Sequence, residues 1–182
     1  YVVPVLNFAY PMYVNMDILK EAGVETVPTT WTELRDACKK ITDAGKSAFA
    51  LNLGTTNANG IQNVFMGTGW GSGISLKDES GAYKTKDNAG LASLAEMFKG
   101  LYDDGSLYPG MSTLEESEMT SNFAAGNCAF TVASAATMSQ FTDINFEATT
   151  IPVKDDYKDQ SGICYASWAV GISDSCENKE EA

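Results

Sequence analysis

The sequence contains no histidine. That removes the usual general base at neutral pH and the commonest metal ligand, so a zinc site would have to use cysteine and carboxylates alone. Cys38, Cys128, Cys164 and Cys176 form no C-x-x-C pair, which argues against a metal or redox site of that kind. No apolar run approaches the length of a membrane span, and no basic-then-apolar leader opens the chain. Positive charge is scarce. Twelve Lys and Arg face 24 Asp and Glu, a net charge of −12. Such a surface repels phosphate backbones, so nucleic acid is not an expected partner. The densest glycine stretch, residues 67–73, lacks G-K-[ST] and is not a phosphate loop.

What is present suits one folded domain. A chain of 182 residues, 44% hydrophobic and 20% charged, can bury a core. Cys38 and Cys128 fall on apolar faces, so buried free thiols are expected; sequence cannot choose among possible disulfide pairings.

The chain opens on a strand carrying Val2, Val3, Val5 and Leu6. Pro4 lacks an N–H and places that strand at an edge or crossing. Residues 8–14 continue extended. Asn15 or Asp17 caps a helix that runs to Ala22 and stops at Gly23. Thr30-Trp31-Thr32-Glu33 fits a capping box, and Leu34, Ala37, Cys38 and Ile41 form one apolar helical face that ends at Gly45. Residues 47–53 read as a buried strand and 57–66 as a weaker helix. Residues 67–73 read as a flexible glycine loop carrying one exposed aromatic, Trp70.

Asp87 or Asn88 starts the clearest helix, with Leu91, Leu94, Ala95, Phe98, Leu101 and Tyr102 in period before Gly105. Thr113 and Glu116 predict a second capping box for a helix through Met119 and Phe123 to Gly126. Residues 128–133 predict a strand with Cys128, Phe130 and Val132 on one face. Residues 134–141 predict a short helix, 146–153 a strand, 154–159 an acidic loop and 163–172 a strand. A helix begins at 177. There is no internal repeat. Mixed helices and strands imply α/β or α+β layers.

Tyr13-Val14-Asn15-Met16-Asp17-Ile18-Leu19-Lys20-Glu21-Ala22-Gly23, followed by Pro28-Thr29-Thr30-Trp31-Thr32-Glu33-Leu34, resembles a pattern of the family 1 extracellular solute-binding proteins. These are the sugar-binding receptors of bacterial ABC importers, maltose-binding protein among them. Three later stretches resemble the family in order: residues 123–130, Ile151-Pro152, and residues 169–173 followed by 178–182. Val14 stands where the family usually has Tyr, and Phe130 where it has Met.

The resemblance implies an α/β fold, one lobe of the type II periplasmic-binding-protein architecture, with a mixed sheet packed by many helices. Family members are about twice as long and two-lobed, closing on ligand by a hinge. Residues 1–182 would then be the second, helix-rich lobe, excised, with a lipoprotein leader upstream. It also implies an extracellular or periplasmic location, a carbohydrate ligand, ABC permease partners, a monomer, no cofactor, no metal and no catalysis.

Sugars present apolar faces and a ring of hydroxyls, which suit aromatic rings and polar groups at a cleft edge. Trp70 is a candidate because its glycine neighbours cannot cover it. The resemblance adds Tyr10 at the lobe crossing, Trp168 in a small-residue segment facing the ligand with Tyr165 as its weaker neighbour, and Ser134, Ala135, Ala136 and Thr137 at a helix start whose N–H groups are unpaired. Trp31 is read as structural. Two other classes stay open. A glycoside hydrolase needs two facing carboxylates, yet Glu115, Glu116 and Glu118 ride on one helix start. A receptor of the same fold could instead take a peptide, polyamine or anion.

Overall fold

The computed structural model describes residues 2–53 and 60–181. Its centre is a four-stranded mixed sheet in the order β3-β4-β2-β5. Here β2 is Met12–Asn15, β3 is Phe49–Ala50, β4 is Phe130–Val132 and β5 is Phe146–Thr149. β2 runs antiparallel to both β4 and β5, whereas β3 runs parallel to β4. Two further strands, β1 (Val2–Tyr10) and β6 (Cys164–Gly171), pair with each other as a separate antiparallel ribbon.

Strand alternation splits the core across the sheet. Met12, Val14, Phe49, Phe130 and Val132 face one hydrophobic cluster, covered by α1 (Met16–Glu21), α2 (Trp31–Asp43) and α4 (Ala89–Asp103). Tyr13 and Ala50 face a second cluster with Met119 and Phe123 of α5 (Glu116–Ala124) and with Phe141. The result is the expected mixed sheet between helical layers.

Helix boundaries follow the local chemistry. Asn15 caps α1, its Oδ1 accepting from the N–H groups of Asp17 and Ile18. Glu33 N–H donates to Thr30 Oγ1 at 3.3 Å, and Thr30 N–H donates back to Glu33 at 3.2 Å. That closes the predicted box. Leu34, Ala37, Cys38 and Ile41 are buried as expected. Gly23, Gly45, Gly105 and Gly126 take positive φ just past their helices, the conformation that glycine adopts without strain.

Several expectations need correction. The glycine stretch is no loop: Gly67–Gly71 form α3, continuing a π-helical turn over Ile61–Met66. Residues 57–59 of the expected helix lie outside the described residues. Ala95 and Tyr102 sit on the exposed flank of α4. α5 is capped at Glu115, whose N–H donates to Glu118 at 3.0 Å; Thr113 is held instead in a turn, donating to the Gly110 carbonyl. Cys128 lies in the second cluster, apart from Phe130 and Val132, because the ladder begins only at Phe130. Residues Ala135–Gln140 are a 3-10 helix, the acidic loop holds a 3-10 turn at Asp155–Tyr157, and turns replace a helix after 177.

Candidate functional site

The ribbon organises the exposed candidates. Cys164, buried, anchors one end of β6 against α3. Pro4 and the interruption of register between Pro4 and Leu6 lie toward the other end, as a proline in an edge strand predicts. Val2, Val3, Val5, Leu6 and Val170 are all exposed there. The 3-10 helix packs on the β1 side, and α3 with the π-turn packs on the β6 side.

Directly paired residues share a face, so the ladder sorts the side chains. Tyr10 pairs with Cys164, Phe8 with Ala166 and Leu6 with Trp168. These six lie on one face, the face on which Cys164 meets α3. Tyr165 pairs with Ala9 and points to the opposite face. Trp168 and Tyr165 are 69% and 64% exposed, yet alternation sends them to opposite sides of the ribbon.

Tyr10 is half-buried, and burial raises its hydroxyl pKa, with Glu116 and Cys164 adding to the rise. The 3-10 helix that Ser134 caps packs against β1, the strand that Tyr10 ends. Ser134 is itself occupied. Its carbonyl accepts from Tyr13 Oη at 3.3 Å and Thr137 Oγ1 at 2.7 Å, and its hydroxyl accepts from Ala136 N–H at 3.3 Å. Ala135 and Ala136 stand exposed beside it.

Trp70 projects from α3 with 43% of its surface exposed, on the β6 flank of the ribbon. The four aromatic candidates thus occupy three settings: Tyr10 and Trp168 on the ribbon face that carries Cys164, Tyr165 on the reverse face and Trp70 on the flanking helix. Phe8 and Leu6 were not among the candidates. On the face that carries Cys164, Phe8 lies between Tyr10 and Leu6, and Leu6 pairs with Trp168. Counting back from Tyr10 in steps of two would have found them.

Among the described residues, no cluster of His, Cys, Asp or Glu could hold a metal, and no helix is long and apolar enough to cross a membrane. Glu115 and Glu118 meet each other in the α5 cap. Burial pushes the Cys128 thiol up to about 12, and Cys38 rises too.

Sequence comparison matches residues 1–182, the whole chain, to the profile of the bacterial extracellular solute-binding proteins. The chain belongs to this family. The family is one of substrate-binding proteins rather than enzymes. Provisionally named binding proteins of Brucella abortus strain 2308 and Brucella suis biovar 1 are each 24% identical over 193 residues, which take in all of this chain and 44% of each relative. Maltose-bound MalE3 of T. maritima shares the fold with a TM-score of 0.79 at 23% identity, over 99% of this chain and 47% of that one. A sugar transporter of Arthrobacter chlorophenolicus A6 with bound laminaribiose gives 0.79 at 19% identity, over 99% and 46%. A solute-binding protein of Thermotoga lettingae TMO bound with alpha-D-tagatose gives 0.75 at 18% identity, over 100% and 47%. The chain therefore spans about half the length of the relatives it matches, and at these identities the structural likeness concerns the fold.

Proposed function

We propose that this chain is one lobe of an extracytoplasmic carbohydrate receptor that delivers its sugar to an ABC importer. The observation that carries this is the ribbon with its exposed aromatics, on a fold whose solved relatives hold maltose, laminaribiose and tagatose. Flat rings suit the C–H faces of sugars, and a crossing ribbon suits a cleft between lobes. Tyr10, Phe8 and Trp168 share one face of the ribbon, with Ser134, Ala135 and Ala136 beside Tyr10 and Trp70 on its flank. Tyr165, on the other face, would serve a different contact. Residues 1–182 act as a single domain in this reading, the second lobe. The apolar ribbon is covered by the first lobe, and the closed monomer docks on permease subunits. The receptor is held at the cell surface by an upstream lipid anchor or lies free in the periplasm.

The test is thermal stabilisation by maltose, laminaribiose and D-tagatose. A ligand at a hundred times its dissociation constant adds about 2.7 kcal/mol, which is readily seen as a shift in Tm. No shift with any sugar, together with stabilisation by spermidine, would replace this reading by a second one. The net charge of −12 and the Glu116 carboxylate near Tyr10 favour that second reading, a receptor for a cationic solute. This lobe alone should bind far more weakly than a two-lobed receptor containing it; equal affinities by calorimetry would refute the shared cleft.

A further inference from the structure

α3 is a helix of low intrinsic propensity. Three of its five residues are glycine, each about 1 kcal/mol poorer than alanine in a helix interior. Space explains them. A Cβ on Gly67 would sit 2.9 Å from Cys164 Cβ, and one on Gly69 would sit 2.8 Å from Leu94 Cδ2. A Cβ on Gly71 would come to 3.3 Å from Gly162 Cα, and one on Gly162 would collide with Gly71 Cα. Gly67 and Gly71 thus press α3 onto β6 and the residues just before it, while Gly69 presses it onto α4. Thr68 is buried and donates to the Val64 carbonyl at 2.8 Å. Trp70 is the one large side chain on α3, and it faces outward.

We infer that Gly67, Gly71 and Gly162 are positioning residues: their close contacts with β6 and its approach fix Trp70 beside the ribbon, so that helix and ribbon form one unit. The inference concerns the placement of Trp70. It rests on the carbohydrate reading only for what Trp70 then touches. Close-packed backbones have no soft element to absorb an added methyl group, so α3 must shift and carry the indole with it.

The experiment uses the chain with Trp31→Phe and Trp168→Phe, which leaves Trp70 as the sole tryptophan. Iodide quenching and the emission maximum are read for Gly67→Ala and Gly162→Ala. A ring freed from 43% exposure toward full exposure raises the quenching constant about twofold and shifts emission to the red. Cys164→Gly removes the Cβ that Gly67→Ala meets, so the double variant Gly67→Ala with Cys164→Gly should return both signals to the parent values. Gly45→Ala, at a positive-φ position with open space around it, is the control. It lowers Tm without moving the Trp70 signal. Unchanged quenching and emission in both folded alanine variants, or no recovery in the double variant, would overturn the inference. A second arm titrates maltose, laminaribiose and D-tagatose. This arm keeps Trp168 and uses a two-lobed receptor containing this chain; failure of all three sugars to bind there, with stabilisation by spermidine, refutes the carbohydrate reading and leaves the spectroscopic test of positioning intact. If one binds, Gly67→Ala should weaken it and Cys164→Gly should restore it.

Discussion

Replacing Trp31 tests how α2 is tied to the segment that leads into the ribbon. The indole is only 7% exposed and belongs to the first hydrophobic cluster. Its Nε1–H donates to the Pro152 carbonyl at 3.1 Å. Beside it, Trp31 N–H donates to the Val153 carbonyl at 2.8 Å, and Val153 N–H donates to Thr29 at 3.0 Å. Trp31→Ala removes the ring and leaves a cavity, a loss of about 3–5 kcal/mol. Trp31→Phe keeps most of the apolar volume but leaves the buried Pro152 carbonyl without its donor, a loss of about 1–3 kcal/mol. A domain of this kind has roughly 5–15 kcal/mol in all, so Trp31→Ala alone endangers folding. Urea unfolding followed by far-UV circular dichroism measures both variants. The midpoint should fall in the order wild type, Trp31→Phe, Trp31→Ala, with the slope unchanged. A loss below about 1 kcal/mol for Trp31→Ala would refute the structural assignment, since removing a well-packed tryptophan destabilises by more than that. A ligand-induced Tm shift that survives in Trp31→Phe would place Trp31 outside the binding face.

Glu33 accepts from Thr29 N–H at 2.8 Å, Thr29 Oγ1 at 2.9 Å and Thr30 N–H at 3.2 Å, and these bonds lower its pKa. A lowered folded pKa means stability that is present above the unfolded value, about 4.3, and is lost as pH falls through the folded value. Glu33→Gln should therefore flatten the acid limb of stability against pH; an unchanged acid limb would show that the cap is not a source of it. In the second cluster, Phe123 lies 4.9 Å from Phe141 and 6.1 Å from Tyr13 between ring centroids. Phe123→Ala should cost about 3–5 kcal/mol in chemical denaturation, whereas Tyr13→Phe, losing one long hydrogen bond, should cost about 1 kcal/mol or less. The reverse order would contradict the packing described. Finally, Cys38, Cys128 and Cys164 are buried, and burial raises each thiol pKa, while Cys176 is half-exposed. At pH 8 a thiol reagent should label Cys176 first and the other three only on unfolding; rapid labelling of two or more thiols in the folded chain would be inconsistent with this burial.

The parts legible in the sequence are those whose causes lie within a few residues. The Asn15 cap, the Thr30–Glu33 box and the glycine stops at 23, 45, 105 and 126 are local hydrogen-bond and φ requirements, and each is readable from its neighbours. The apolar face of α2 follows from period alone. The α5 cap lies two residues from its expected place because Thr113 and Glu115 offer competing local bonds, and the Gly110 turn takes Thr113. Candidate site residues were legible by type, as aromatics in small-residue surroundings. Their grouping was not, because it depends on the register of β1 against β6, which sets Tyr10 and Trp168 on one face of the ribbon.

The glycine stretch at 67–73 marks the boundary between the two kinds of information. By composition it is a loop, since the glycines at 67, 69 and 71 alone disfavour a helix by about 3 kcal/mol relative to alanine. In the fold residues 67–71 are a helix, and Cys164, Gly162 and Leu94 approach it closely where its glycines lie. Those neighbours lie tens of residues away in the chain, and no local rule can supply them. The sequence by itself determined the Asn15 and Thr30 caps, the glycine stops, the apolar face of α2 and the family. The tertiary structure alone decided which strands pair, which face each aromatic takes, and why Trp70 stands on a helix, because contacts between distant segments can outweigh local propensity.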